Sequence, residues 1–441
     1  MLDIKFIRQN PEKVKKSAEQ KGVKVDIDRL LVMDKKRRET MTTLEKISAQ
    51  KNRASKQIPS IKEQEKREKI ILEMRELDKK SDRLNNELKE LDKEFSELML
   101  QVPNIPLKEV PVGKDDSGNI VLRKVGKVPK FNFPPKDYLQ ISEKLDIIDV
   151  KRAAKISGSR FGFLKREAAL IEFALINLAL ENLVNERDSF SPFANARVIK
   201  KKFIPVIPPI MLKEEMARGT GYFETADKRE AYFIPDDNLY LAGTSEQPLI
   251  AMHADEIFEE KDLPRRYFGF STCFRREAGA YGKDTKGILR VHQFDKVEMI
   301  SFCRPQDSKK EHQFLLKMEE KLMKFLKIPY QVIQICTGDL GMPAAAKYDI
   351  EAWLPSENRY RETHSTSNCT DFQARRLNIR YRDKQGKLNF VHTLNGTVFA
   401  AGRTLIAIIE NYQQKDGSVK IPKILQKYLK IKEVKCEKRK F

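Results

Sequence analysis

The chain lacks most of the patterns that announce a function at sight. Its five cysteines, Cys273, Cys303, Cys336, Cys369 and Cys436, stand about thirty or more residues apart, with no CxxC and no Cys/His pair at ligand spacing. That excludes the common zinc sites and a disulfide framework, and it suits a reducing compartment. No apolar run approaches the roughly 18 residues of a membrane span. The N-terminus, MLDIKFIRQNPEKVKK, has no apolar signal region and carries early acids that a transit peptide avoids. A soluble, cytoplasmic protein is expected. GxxxxGK[ST] is missing, as is GxGxxG after a strand, so phosphate-loop and dinucleotide folds find no support. The five histidines form no HExxH, and no GxSxG elbow occurs.

What is abundant is positive charge: 85 Lys and Arg against 64 Asp and Glu, a net of +21 over 441 residues. Such an excess favours polyanionic partners, nucleic acid first among them. The length allows two or three domains. Between residues 62 and 100, Ile70, Leu77, Leu84, Leu91 and Leu98 recur every seven residues, with Met74, Ser81, Leu88 and Phe95 at the companion position. No Gly or Pro interrupts the run, and the spacing predicts a coiled-coil helix. Residues 28–57 repeat the pattern more weakly through Leu30, Met33, Met41, Leu44 and Ile47. A turn at IPS, 58–60, lets the two helices pair antiparallel as an arm. The earlier helix carries Lys35, Lys36, Arg37 and Arg38 as a cationic cluster suited to a phosphate backbone, or simply to solvent.

The stretch QVPNIPLKEVPVGKDDSGN, 101–119, reads as a linker, with three prolines and two glycines. The division expected is an N-terminal domain over 1–100, a linker over 101–119, a mixed helix-and-strand domain over 120–430 and a mobile basic tail over 431–441. FLKREAALIEFALINLALENL, 163–183, reads as a helix, and FIPVIPPIM, 203–211, as a strand. The passage FRREAGAYGKDTKGILRVHQFDKVEM, 274–299, reads as a hairpin whose loop gains mobility from Gly279, Gly282 and Gly287. Alternation along its second strand puts Arg290, His292, Phe294, Lys296 and Glu298 on one face and Val291, Val297 and Met299 on the other. A ring set among cations and an acid is suited to stacking on a nucleobase, with Arg275 reaching an anion over the same surface.

These residues resemble motif 2 of the class II aminoacyl-tRNA synthetases in their seryl form. FIPVIPPIM, with Pro208, resembles motif 1, and AGTSEQPL, 242–249, resembles the amino-acid loop of that family. RETHSTSNCTDFQARR, 361–376, resembles its ATP and magnesium segment, and LNGTVFAAGRTLIAIIENYQ, 394–413, resembles motif 3. The resemblance implies an α+β fold: a class II antiparallel sheet flanked by helices, dimeric through motif 1, with an N-terminal antiparallel coiled-coil arm. It implies ligation of L-serine to tRNA(Ser), and to tRNA(Sec) where present, with ATP and Mg2+. Arg275, Arg403 and Glu298 would be catalytic. Thr244, Ser245, Glu246, Arg275, Glu298, Asn395 and Thr397 would bind serine. Arg275, Arg276, Glu277, Val291, Phe294, Glu362, Thr363, His364, Ser365 and Arg403 would bind ATP, with Glu362 and Ser365 positioning the metal. His364 is a departure, since the family usually has a small hydroxyl residue there. Lys35, Lys36, Arg37 and Arg38 would meet the long variable arm of the tRNA. An adenylating ligase for a carrier protein and a catalytically silent RNA-binding relative are the alternative readings.

Overall fold

The computed structural model describes residues 1–185, 202–222, 230–278 and 286–436. Gly279 and Gly282 of the motif 2 loop and the last five residues of the tail lie outside them. The chain forms two compact units: Leu2–Glu19 with Val23–Pro103, and Met1 with Gln20–Gly22 and everything from Asn104 onward.

The smaller unit is dominated by helices α1 (Ile27–Gln57) and α2 (Gln64–Gln101). Asp26 caps α1 by accepting from the Arg29 amide at 2.8 Å. A 3₁₀ turn at Ile58–Ser60, with Pro59 inside it, reverses the chain. The heptad positions of α2 are its half-buried and buried ones, ending in buried Leu91 and Leu98. Ion pairs Arg29–Glu94, Arg37–Asp92 and Lys51–Asp78 connect ever later residues of α1 to ever earlier ones of α2, so the pair is antiparallel. Arg37 also lies over the Phe95 ring, 5.2 Å from its centroid, and Arg38 bonds Asp34. Lys35 and Lys36 are exposed.

The larger unit is built on eight strands: β1 (Ile120–Val125), β2 (Ile204–Val206), β3 (Arg265–Phe274), β4 (Gln293–Cys303), β5 (Tyr330–Gln334), β6 (Ala346–Leu354), β7 (Arg359–Asn368) and β8 (His392–Ala400). Their order is β1-β5-β6-β7-β8-β4-β3-β2. Every pair is antiparallel except β2 with β3. Helices α3 (Glu167–Leu180), α5 (Ser308–Leu326) and α6 (Ala401–Asn411) share a core with one face, where Leu175, Phe314, Leu322 and Leu405 meet Val297, Met299 and Val398. The short helix α4 (Glu246–Ala251) packs on the face carrying Ile300 and Phe302. Any Cβ at Gly269 of β3 would sit 2.2 Å from Leu249, so glycine alone lets α4 settle this close to the sheet.

Several expected boundaries change. FIPVIPPIM is two strands, β2 and Met211–Lys213, because Pro208 and Pro209 between them have no N–H for a ladder. The strand expected from Arg290 begins at Gln293. The helix expected over 163–183 runs Glu167–Leu180 and then opens into a π turn, while Phe163–Leu164 pairs with Ile148–Asp149. Residues 104–119 are not a free linker. The Asn104 side chain donates to the Pro343 and Cys369 carbonyls at 2.8 Å each, and the Leu107 amide donates to Ala345 at 2.8 Å. The basic tail is also partly held, since Glu433–Val434 pairs with Val419–Lys420.

Candidate active site

Alternation on β4 sends Lys296 and Glu298 to the face opposite the main core. Arg275 follows the end of β3, Thr244 and Glu246 sit at the head of α4, and β8 brings Asn395 and Thr397 alongside. Glu298 stands directly across from Thr397 in the β4–β8 ladder, and a bulge before Glu298 sets that register. Apart from Glu298, which is 1% exposed and lies behind Lys296 and Thr244, these groups line one cavity of about 320 Å³ together with Glu362, Ser365 and Arg403.

One end of the cavity is acidic and deeply buried. Glu246 accepts from the Tyr222 hydroxyl at 2.7 Å and from the Gln373 amide at 2.8 Å. Glu298 is 1% exposed and pairs with Lys296, while the Thr244 hydroxyl lies 3.4 Å from its Oε2. Burial pushes both carboxyls above the usual range, and each hydrogen-bonded partner pulls back; for Glu246 the nearby Glu298 charge adds to the rise. Such a pole suits an ammonium group and a small hydroxyl. Glu298 Oε1 has no hydrogen-bond partner, although it is buried, and buried acceptors are normally satisfied.

The other end is cationic and aromatic. Arg275 donates its Nε to the Gly243 carbonyl at 3.0 Å, and its guanidinium lies 5.2 Å from the Phe294 ring centroid. Arg403 pairs with Glu362 at 3.1 Å and donates to its backbone carbonyl at 3.3 Å. Shielding in the cleft raises the Glu362 carboxyl, but Arg403, Lys347 and Arg275 outweigh it and hold the group at about 2. Glu277 is held by Arg290 at 2.8 Å, and Val291 and Thr363 complete the wall. Two guanidinium groups and an ammonium beside an aromatic platform can hold a polyphosphate and stack its base.

Four expected residues are absent from the cavity lining: Glu298, buried just behind it, and three whose side chains turn elsewhere. The Ser245 hydroxyl turns beneath the cavity to Ser271 at 2.7 Å, because the α4 head packs into the sheet there. Exposed Arg276 lies over the Tyr232 ring, 5.6 Å from its centroid, outside the cavity lining. His364 is buried against Phe399 at 5.9 Å, its Nδ1 2.8 Å from the Thr363 hydroxyl, since alternation along β7 sends it opposite to Ser365 and a register shift between Glu362 and His364 leaves Glu362 on the cavity side. Conversely, Lys296, Tyr222 and Lys347 line the cavity without having been singled out for it. The face shared by Lys296 and Glu298 was the signal available for the first of them.

The donors at the cationic end suit a hard cation. Glu362 is ionised, Ser365 offers a hydroxyl, and Ser365 hydrogen-bonds Asp349, whose carboxyl burial lifts to about 7 against the pull of Lys347. Among the described residues no group of three or more His, Cys, Asp and Glu could cage a metal alone. These oxygens therefore fit a Mg2+ held mainly by phosphate and water.

Comparison with known proteins gives one consistent picture. Residues 1–106 match the seryl-tRNA synthetase N-terminal domain, and residues 231–412 match the class II tRNA synthetase core domain of the G, H, P, S and T group. The serine–tRNA ligase of Dictyoglomus turgidum is 43% identical, covering 99% of this chain and 100% of its own length. The seryl-tRNA synthetase of Pyrococcus horikoshii, solved with ATP, superposes with a TM-score of 0.88 at 40% identity over 98% of this chain and 99% of that one. The cytoplasmic serine–tRNA ligase of Naegleria fowleri, solved with AMP, gives a TM-score of 0.83 at 32% identity over 99% of both chains.

Proposed function

This chain belongs to the seryl-tRNA synthetase family, and from that premise we propose how its own residues divide the work. The activity is ATP-dependent ligation of serine to tRNA: the serine carboxylate attacks the α-phosphorus of ATP, releasing pyrophosphate, and the seryl group then passes to the tRNA terminus, releasing AMP. The observation that carries the assignment of roles is the polarity of one small cavity, with buried acids at one end and guanidinium groups beside an aromatic ring at the other.

Glu246 and Thr244 receive the serine ammonium, while Glu298 and Thr397 take the hydroxyl, with Asn395 beside them. Arg275, at the cationic end but bonded to the Gly243 carbonyl beside Thr244, meets the serine carboxylate and the α-phosphate and stabilises the charge that builds on phosphorus. Phe294 and Arg403 hold the adenine between them, Arg403 also facing the γ-phosphate, with Val291 at the base edge and Glu277 against the nucleotide. Glu362 and Ser365 would hold a Mg2+ ion, which would supply neutralisation of phosphate charge. No covalent intermediate with the protein is needed, because positioning and fixed charge suffice.

The α1–α2 pair is the tRNA-gripping arm. Within its cationic cluster Lys35 and Lys36 are exposed, whereas Arg37 is committed to Asp92 and Phe95 and Arg38 to Asp34. The partners follow as tRNA(Ser), and tRNA(Sec) in a cell that has it, in the cytoplasm. A homodimer formed through motif 1 is favoured by the apolar exposure of that edge, where Ile207 is 83%, Met211 49% and Ile204 46% exposed. Charging assays with labelled serine, Mg2+–ATP and transcripts of each tRNA test this reading. Serine is expected on tRNA(Ser) and tRNA(Sec) and not on a tRNA without a long variable arm. Equal charging of all transcripts, or of none, would overturn it.

A further inference from the structure

Lys296 touches both groups that select the substrate. Its ammonium pairs with Glu298 Oε2 and lies 3.3 Å from the Thr244 hydroxyl. It stands two residues before Glu298 on β4, on the same face, and lines the cavity with only 12% of its side chain exposed. Its neighbours across the sheet are Ser271 and Ala400, neither of which offers it a charge. Among the described residues it is the one cation in direct contact with Glu298. Arg275 bears on that carboxyl only through space, its Nε being given to Gly243.

We propose that Lys296 is a positioning residue for serine recognition, holding Glu298 and Thr244 in one bonded set so that the carboxylate presents a free oxygen to the serine hydroxyl. This rests on the assignment of Glu298 to that hydroxyl. Oε1 is the oxygen left over: Oε2 is occupied by Lys296 and Thr244, while Oε1 is buried with no partner. A carboxylate can only accept there, which matches an O–H donor and gives alanine nothing.

The surroundings explain why a cation is required. The charged and titratable groups around Glu298 are Lys296 on its own strand, Arg275 after β3, Cys273 on β3, Glu246 at the head of α4, Tyr222, and Glu319 from α5 beneath. Glu319 is fully buried, and burial together with the Glu298 charge pushes its carboxyl well up. Glu298 is itself raised by burial and lowered first by Lys296, then by Arg275 and Thr244. Without Lys296 the carboxyl climbs further, so at a given pH more of it is protonated and fewer molecules offer an acceptor.

The test is serine-dependent pyrophosphate exchange between about pH 5.5 and about 8.5 for the parent, Lys296→Met and Lys296→Arg, with alanine as the competing substrate. Methionine keeps the length and removes the charge. For Lys296→Met the expected results are a rise of about tenfold in KM for serine at pH 7, an unchanged KM for ATP, and an acid limb moved up by about one pH unit. The preference for serine over alanine should shrink, and Lys296→Arg should restore the acid limb. An unmoved acid limb with unchanged KM would overturn the proposal, and so would a lower KM, which would make Lys296 a competitor of the substrate ammonium. The underlying assignment fails separately, if the parent itself shows no exchange with serine.

Discussion

At the scale of single residues, the proposed selection of serine depends on hydroxyl-bearing neighbours whose contacts are set by strand register. Thr397 faces Glu298 across the β4–β8 ladder, which underlies the proposal that the two act on one substrate group from adjacent strands. Thr397→Val keeps the shape and removes one hydrogen-bonding group. It is expected to lower kcat/KM for serine about 10- to 100-fold in pyrophosphate exchange, leaving alanine and the KM for ATP nearly unchanged. Parallel loss for serine and alanine would show that Thr397 only supports the fold. The polar row Phe294, Lys296 and Glu298 was legible because a strand's period of two puts every second residue on one face. Ser245, Arg276 and His364 were not legible. A motif carries a residue's place in the chain, whereas the packing of α4 onto Gly269 and of His364 onto Phe399 decides which way the side chain points.

At the scale of elements, the heptads were the clearest text in the sequence, since a seven-residue repeat can be buried in only one way against a partner helix. The antiparallel pairing of α1 and α2 followed from the short turn between them. Proline-containing segments were harder to read, FIPVIPPIM proving to be two strands. Residues 101–119 read as a linker from composition, and the two units do divide there, after Pro103, but from Asn104 onward the segment is bonded to residues far along the chain, the Thr337 amide donating to the Pro111 carbonyl at 2.9 Å. Because the cavity residues all come from the larger unit, deleting residues 35–90 is expected to leave serine-dependent adenylate formation within about twofold of the parent while abolishing tRNA charging. Both steps are read on the same preparation, one by pyrophosphate exchange and the other by labelled serine on tRNA. Loss of both would contradict this division of labour.

At the scale of the whole molecule, the net charge of +21 pointed to a polyanion, but composition alone could not say whether ATP, RNA or both were meant. The combination of a cationic helical arm with a cavity acidic at one end and cationic at the other makes the answer both. It also separates this chain from a ligase that loads a carrier protein and from a silent RNA binder, since the first needs no arm and the second needs no buried acids. The most direct measurement is exchange of labelled pyrophosphate into ATP with serine, alanine, glycine and threonine in parallel, and with Arg275→Ala as the comparison. The account predicts exchange with serine alone, reduced about 10²- to 10³-fold in the variant. Exchange driven by another amino acid, or exchange that survives intact without Arg275, would contradict it.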